Sequence, residues 1–333
     1  MFSLSNHVSK ISIMLVVFTS VLSHCSSSET IKPAQHSEVP STGVSQPSQP
    51  PVDPVIRREG TTVYIEMTAQ VTDIEISEGV MYNAWTFNGT APGPVLRVTE
   101  GDTLIFTLKN KDSSLPHSMD FHAVHASPSS KFIDVMPGEE GTFTYATSSP
   151  GVFMYHCGTK PVLAHIANGM YGMIIVEPEA GYPSDHLIHR EYTLVQSEWY
   201  KEHSYDAFLN EEPDYVVFNG NDYGLTRNPL LAKVGDTVRL YVSNAGPNEV
   251  SSFHIVGTIM DRVYIDGNPR NIQYGMQTVM LPASGGAVVE FTVTEEGDYP
   301  IVTHQFNHVS KGASAVLRVT KDGKDHGGQA MSH

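Results

Sequence analysis

The chain has 333 residues, with 20 Lys and Arg against 36 Asp and Glu, so its formal net charge is −16. A negative excess this large argues against nucleic acid and anionic lipid surfaces as partners. The chain has 2 cysteines, Cys25 and Cys157. If one carries a lipid and the other binds a metal, no disulfide can form within the chain.

Residues 1–24 predict an export signal. Lys10 precedes an apolar run over residues 11–22, which is too short to span a bilayer but suits a secretory signal peptide. The four residues ending at Cys25 resemble a bacterial lipobox, although His24 stands where a small residue is usual. We therefore expect an exported protein in the periplasm or at the outer membrane, anchored by a lipid on Cys25. The alternative is a plain signal peptide cleaved near the same place.

Residues 25–59 are predicted to form the lipidated cysteine and a flexible linker. Residues 26–55 are rich in Ser, Pro, Thr and Gln and contain almost no large apolar side chains. Such a composition cannot bury enough apolar surface to offset the entropy of ordering the segment. We expect this linker to hold a folded body away from a membrane anchor.

From Gly60 onward, short runs of alternating apolar and polar residues are separated by Gly, Pro, Asn and Asp, as expected for β-strands. Three motifs recur in the second half: Phe-Asn-Gly at 87–89 and 218–220, Gly-Asp-Thr at 101–103 and 235–237, and Phe-His at 121–122 and 253–254. This repeat predicts an all-β protein with two tandem Greek-key β-sandwich domains. We place them over residues 60–180 and 181–320, followed by a flexible tail over 321–333.

A metal-binding pattern lies at the end of one predicted strand. Cys157 follows an apolar run, His165 comes eight residues later, and Met170 follows five residues after that. A thiolate, an imidazole and a thioether are three of the four ligands of a blue-copper electron-transfer site. His117 is the natural fourth ligand, because cupredoxin sites take one histidine from an earlier strand. The alternative is a buried core cysteine beside two unrelated residues.

Strand alternation separates a second set of side chains from the first. Adjacent strand residues point to opposite faces, so His156 faces outward if Cys157 faces inward. By the same parity, Asp120 and His122 share one side of an extended chain, while His117 takes the other. Two imidazoles without a thiolate suit a catalytic copper with an open position. The sequence therefore predicts two metal sites back to back.

The second half keeps histidines at corresponding places but has no cysteine. His254 takes the place of His122, and His304 lies near the end of the strand that corresponds to the one carrying His156. A third imidazole from the second domain would complete an open three-histidine copper site. The sequence leaves open whether this contact forms within one chain or between chains.

The segments HSMDFH, YHCGTKPVLAHIANGMYG, SSFHIVG and VTHQFNHVSKGA resemble those of the copper-containing nitrite reductases, most of all the short lipoprotein-anchored outer-membrane type. The resemblance covers residues 60–320 and implies two cupredoxin-like domains and a dissimilatory reductase that converts nitrite to nitric oxide. It implies two coppers per chain, with type 1 ligands His117, Cys157, His165 and Met170 and type 2 ligands His122, His156 and His304.

The resemblance also implies roles around the substrate. Asp120 and His254 would form an acid and base pair over nitrite, and Val256 would form an apolar wall of the pocket. A closed homotrimer is implied, as is an electron donor that is a small cupredoxin or c-type cytochrome. His125 and His308 have no place in this pattern, and we expect both to be solvent-exposed.

Two other functions fit parts of the sequence. A two-domain laccase-like multicopper oxidase would need paired His-x-His motifs for a three-copper cluster, and the chain has none. A non-enzymatic periplasmic copper-storage or electron-carrier protein would leave Asp120, His254 and the second domain without a purpose.

Overall fold

The computed structural model describes residues 48–326. The predicted signal peptide at residues 1–24, the predicted lipidation of Cys25 and the last residues of the predicted tail lie outside this range. Within residues 48–326, no helix is both long enough and apolar enough to cross a membrane.

The first β-sandwich consists of two sheets that pack face to face. Its strands are β1 (Val55–Glu59), β2 (Thr62–Ser77), β3 (Val80–Phe87), β4 (Leu96–Thr99), β5 (Thr103–Asn110), β6 (Asp120–Phe121), β7 (Glu140–Ala146), β8 (Gly151–His156) and β9 (Tyr171–Glu177). One sheet has the order β1-β2-β5-β7 with β3 paired to β2, and the other has the order β4-β9-β8-β6. The strand β8 is therefore flanked on both sides, and the chain leaves it at one end of the sandwich.

The second β-sandwich has the same general plan. Its strands are β10 (Arg190–Trp199), β11 (Tyr215–Phe218), β12 (Leu230–Lys233), β13 (Thr237–Asn244), β14 (Ser251–Ile255), β15 (Met260–Ile265), β16 (Ile272–Met276), β17 (Thr278–Leu281), β18 (Gly286–Thr292), β19 (Gly297–Thr303) and β20 (Ser314–Thr320). A six-stranded sheet has the order β11-β10-β13-β18-β15-β16, and a five-stranded sheet has the order β12-β20-β19-β14-β17. The prediction of an all-β protein with two sandwich domains is confirmed.

The helices are short and lie in the connections between strands. They are α1 (Pro128–Lys131), α2 (Val162–Ala167), α3 (Tyr205–Leu209), α4 (Gly224–Arg227) and α5 (Phe306–Val309), with a 3-10 helix at Asp185–Leu187. The helix α2 follows β8 in the first sandwich, and α5 follows β19 at the corresponding place in the second.

Each sandwich has its own apolar core. In β5, the side chains of Leu104, Phe106 and Leu108 are buried, while the residues between them are partly exposed. This alternation follows from the two-residue period of a strand, and each such buried side chain contributes about 1.5–3 kcal/mol of hydrophobic stabilisation. The first core extends to Cys157 and Met170.

The outer face of β8 packs against the second sandwich. Val152 and Met154 lie in an apolar cluster with Tyr264 and Val288 of the six-stranded sheet. His156 continues the same alternation and is the last residue of β8. The domain interface therefore covers the face of β8 that ends in this histidine.

The repeated Phe-Asn-Gly motif forms the same turn in both domains. Asn88 and Asn219 have positive φ angles of 61° and 54°. Asparagine tolerates this left-handed conformation better than most residues. Each side-chain oxygen accepts a backbone N–H from a neighbouring strand, Thr68 at 3.0 Å and Val195 at 2.8 Å. The repeat therefore preserves a structural turn in each sandwich.

Both ends of the folded body extend beyond the predicted boundaries. Residues 55–59, predicted as linker, form β1, in which Ile56 pairs with Ile65; that part of the prediction is wrong. All five side chains of β1 are exposed, so its sequence shows no burial pattern. At the other end, Asp325 accepts a hydrogen bond from Arg318 at 2.9 Å, which joins the described part of the predicted tail to β20.

Candidate metal centres

The first candidate centre lies at the end of the first sandwich where β8 meets α2. The ligand atoms of His117, Cys157 and His165 all lie within 4.8 Å of one another, and all three residues are buried. Cys157 directly follows β8, and His165 lies on α2. His117 reaches the site from the segment before β6, where its backbone makes two hydrogen bonds to Val135.

A buried carboxylate orients His117. The Nε2 atom of His117 lies 3.0 Å from Asp112 Oδ2. Burial opposes ionisation of Asp112, but hydrogen bonds from His117 and two backbone N–H groups outweigh it and lower the pKa of Asp112. An ionised carboxylate only accepts, so Nε2 carries the proton and Nδ1 faces the site. There it lies 3.3 Å from Nδ1 of His165 and 3.8 Å from the sulfur of Cys157.

The surroundings of Cys157 favour its thiolate. Burial would raise the pKa of Cys157, but the hydrogen bond and charge of His117 and the Ser118 N–H lower it overall. The Ser118 nitrogen lies 3.4 Å from the sulfur. The thiolate is the form of cysteine that binds metals. Burial also lowers the pKa of His165 to about 4, so this imidazole is neutral and able to donate a lone pair at neutral pH.

Met170 is held at the same place by its backbone. Its N–H donates to the carbonyl of His165 at 3.0 Å, and its carbonyl accepts from the N–H of Cys157 at 3.1 Å. The Met170 side chain is buried in the same core as Cys157. These two bonds fix the predicted axial methionine relative to two of the other three predicted ligands, His165 and Cys157.

The second candidate centre lies on the opposite face of β8. It contains Asp120, His122 and His156, whose ligand atoms also lie within 4.8 Å of one another. The Nε2 atoms of His122 and His156 are 3.0 Å apart, and Asp120 Oδ2 lies 3.8 Å from Nε2 of His156. Desolvation and the neighbouring imidazole lower the pKa of His122, which favours the neutral, metal-binding form.

The chain places His254 and His304 beside each other in the second sandwich. Their ring centroids are 5.4 Å apart, His254 lies on β14, and His304 directly follows β19. In the described residues, neither joins the group of His122 and His156. The fold explains this separation. The strand β8 packs against β13 and β18 of the six-stranded sheet, whereas β14 and β19 belong to the five-stranded sheet.

The donor atoms of both groups suit copper. The first set combines two imidazoles with a thiolate in a buried, water-poor place, as expected for a blue-copper site. The second set brings two imidazoles and a carboxylate together at a partly exposed place, as expected for a site that admits a small substrate. Two Nε2 atoms 3.0 Å apart also suit two nitrogen ligands of one ion.

Comparison with known proteins separates the possible families. Two multicopper oxidase family models match residues 68–181 and 190–321. The copper-containing nitrite reductase of Neisseria meningitidis serogroup A is 40% identical over 81% of this chain and 73% of its own length. The chain belongs to the copper-containing nitrite reductases.

Solved structures agree with this family. The copper nitrite reductase from Nitrosomonas europaea matches with a TM-score of 0.74 and 42% identity, over 79% of this chain and 95% of that chain. A blue copper oxidase from the same organism matches with a TM-score of 0.68 but only 25% identity, over 79% and 87%. The oxidases therefore share the fold at lower sequence identity, and the laccase-like alternative is less supported than a copper nitrite reductase.

Two expectations about extra histidines have different outcomes in this nitrite reductase family member. His125 is exposed, as predicted. His308 is 1% exposed, so the prediction of a solvent-exposed imidazole is wrong. It lies on α5 and faces Glu249, with 3.5 Å between Nε2 and the carboxylate oxygen. Its sequence neighbours gave no sign of this partner, which is 59 residues away in sequence.

Sequence reasoning also missed two side chains around the first centre. Asp112, which orients His117, lies five residues before it in a turn whose geometry the sequence does not specify. The rings of Trp85 and His165 make a T-shaped contact, at a centroid distance of 5.0 Å. An aromatic residue near the end of a predicted strand was the available signal, but it did not identify which histidine the ring contacts.

Proposed function

We propose that this protein reduces nitrite to nitric oxide with two copper ions per chain. The proposed type 1 ligands are His117, Cys157, His165 and Met170, and the proposed type 2 ligands are His122, His156 and His304. The observation that supports this best is the position of the two donor sets on opposite faces of β8, adjacent to each other at His156 and Cys157.

When bound, copper would supply one-electron redox chemistry at the thiolate site and Lewis acidity toward nitrite at the imidazole site. The chain itself supplies the connection between them. Cys157 and His156 are joined by one peptide unit, which is the shortest covalent path available. Burial of Cys157 excludes water from the electron-receiving site, while the partial exposure of Asp120 and His122 leaves room for substrate.

Reduction of nitrite consumes one electron and two protons, and it releases nitric oxide and water. Asp120 is placed to hold one proton, since its carboxylate lies 3.8 Å from His156 Nε2 and is only partly buried. His254 is suited to the other. Its Nδ1–H donates to the Gln277 carbonyl at 2.6 Å, which leaves Nε2 available to face the substrate and exchange a proton with it. Val256, 41% exposed beyond the same strand, would form an apolar wall.

The third imidazole is proposed to come from a second copy of the chain. His304 directly follows β19 of the five-stranded sheet, away from the sheet that faces β8 within one chain. A repeated contact between the first domain of one copy and the second domain of the next closes into a ring. We therefore propose a homotrimer with one type 2 site at each interface.

The remaining parts of the proposal concern location and electron supply. The apolar run at residues 11–22 and Cys25 support export to the periplasm or outer membrane with a lipid anchor. The proposed donor is a small soluble redox protein, either a cupredoxin or a c-type cytochrome, and the only membrane contact proposed is through the lipid.

Copper analysis combined with a nitrite turnover assay tests the proposal. Two copper ions per chain together with release of nitric oxide are expected. Turnover of oxygen without nitrite would favour the laccase-like oxidase, and copper binding with no turnover of either substrate would favour a carrier.

A further inference from the structure

The second sandwich keeps the backbone of the first metal centre at α5. Gly169 follows His165 by four residues, and Gly312 follows His308 by four residues. The two glycines have φ angles of 115° and 112°, a conformation that side chains strongly disfavour. His308 therefore occupies the backbone position that His165 has in the first domain.

The hydrogen bonds after each helix match as well. The Met170 N–H donates to the His165 carbonyl at 3.0 Å, and the Ala313 N–H donates to the His308 carbonyl at 3.1 Å. Ala313 thus stands where the first domain has its methionine.

The strands before and after give the remaining correspondences. Phe121 pairs with Tyr155, and Phe253 pairs with Thr303. Counting from these pairs, the second domain replaces the donor set of the first as follows: Glu249 stands for His117, Gln305 for Cys157, His308 for His165 and Ala313 for Met170. Without the thiolate and the thioether, the second set has no blue-copper character.

Glu249 and His308 face each other where two ligands meet in the first domain. The carboxylate oxygen lies 3.5 Å from Nε2, and the two side chains are 25% and 2% exposed. Glu249 is itself anchored, because its N–H donates at 2.7 Å to the buried carboxylate of Glu198. That carboxylate also accepts from Tyr200 at 2.7 Å, and Tyr200 packs in the core of the first domain.

Stability alone gives a weak reason for this pair. Within residues 48–326, the Nδ1 atom of His308 is buried and has no hydrogen-bond partner. A buried unsatisfied polar atom costs about 1–3 kcal/mol, and apolar side chains of similar volume often stabilise a core at least as well as a buried ion pair. The position of the pair suggests a different use.

The pair joins the two segments that carry the second-domain active-site histidines. Glu249 precedes His254 by five residues, just before β14, and His308 follows His304 by four residues, on α5. His304 is also held to β14, since its N–H donates to the Ser252 carbonyl at 2.7 Å. The ring of His304 is exposed. Within residues 48–326, its aromatic contacts are with the rings of His254 and Phe306.

We propose that Glu249 and His308 are positioning residues that hold His304 and His254 in the geometry required by the type 2 site. The pair connects the segment before β14 to α5 in the second domain. The corresponding segments of the first domain are brought together by its donor set. This inference rests on the proposed function, in which His304 is a type 2 ligand.

Glu249→Gln and His308→Leu test the inference in the full-length protein. Copper is removed by chelation and returned by titration with a copper salt, and occupancy of the type 2 site is followed by its electron paramagnetic resonance signal. Each variant is expected to bind type 2 copper about 10–100-fold more weakly, the usual effect of losing a group that orients a ligand. The visible absorption of the type 1 site should stay unchanged.

His326→Ala is the matched control, because His326 makes an exposed contact with Asp322 in the same domain at 2.9 Å. It should bind both coppers as tightly as the unmodified protein. If His308→Leu does not fold, the nearly isosteric Glu249→Gln decides. If the variants bind type 2 copper as tightly as the unmodified protein, the inference is overturned, even when their Tm is lower. It is also overturned if the unmodified protein binds a third copper per chain that His308→Leu loses, because His308 would then be a ligand itself. An unmodified protein without nitrite turnover or with one copper overturns the proposed function as well.

Discussion

His156 donates its Nδ1–H to the carbonyl oxygen of Cys157, 2.9 Å away. A carbonyl can only accept, so this bond fixes the tautomer of His156 and leaves its Nε2 directed at His122. The two residues point to opposite sides at the end of β8, with Cys157 in the first core and His156 in the second candidate centre. The backbone of Cys157, which carries the proposed type 1 thiolate, therefore orients the imidazole of His156, which is a proposed type 2 ligand.

Replacing Cys157 with Ala should abolish the visible thiolate-to-copper absorption and donor-driven nitrite turnover. Cys157 is the thiolate of the first donor set, and its sulfur is within 3.8 Å of His117 Nδ1. Type 2 copper should remain bound, which metal analysis and electron paramagnetic resonance can measure. His125→Ala, at an exposed histidine, serves as the control. An unchanged visible spectrum in the Cys157 variant would refute the type 1 assignment.

Replacing His304 with Ala should remove type 2 copper and nitrite reduction while the type 1 absorption persists. Only the proposed type 2 site uses the second domain, and His304 is exposed where a second copy could reach it. Copper analysis and visible spectroscopy on one preparation check this. Retention of both coppers would show that the third ligand lies elsewhere. Mixing this variant with His122→Ala chains should restore some complete sites if the ligand comes from another copy.

Replacing Asp120 with Asn should lower turnover by about 100-fold or more while both coppers stay bound, because the change removes a proton carrier but keeps the side-chain shape. His254→Ala should also lower turnover while both coppers stay bound. The competing explanation is that both residues only brace the site, as groups around metal ligands often do. Copper loss in step with activity loss would support bracing. Full copper with normal turnover would remove both residues from the mechanism.

The metal-free protein should lose stability as the pH falls from 6.5 toward 4. Burial lowers the pKa of His165 from 6.5 to about 4, so in this window the unfolded chain binds a proton that the folded protein does not. The free energy of unfolding should therefore fall by up to about 1.4 kcal/mol per pH unit from this group. Denaturant unfolding of the chelated protein and of His165→Gln measures the difference. Equal slopes in the two proteins would contradict the prediction.

Local patterns in the sequence determined much of the candidate site. The spacing of Cys157, His165 and Met170 predicted one cluster, and strand parity predicted that His156 would face away from it. Both predictions depend on backbone geometry within a few residues, and this local geometry does not depend on how distant parts of the chain pack. The recurrence of Phe-Asn-Gly likewise predicted two sandwiches, since the Asn88 and Asn219 turns need the same left-handed conformation.

Tertiary structure decided the contacts between residues distant in sequence. β1 has no buried side chain, so only its pairing with β2 shows that it is a strand. The burial of His308 depends on Glu249, 59 residues earlier, and on how β14 and β19 pair. The separation of His304 from His122 within one chain depends on which sheet of the second sandwich packs against β8. Side-chain alternation selects a face of each strand, but the packing of whole sheets selects the partner that the face meets.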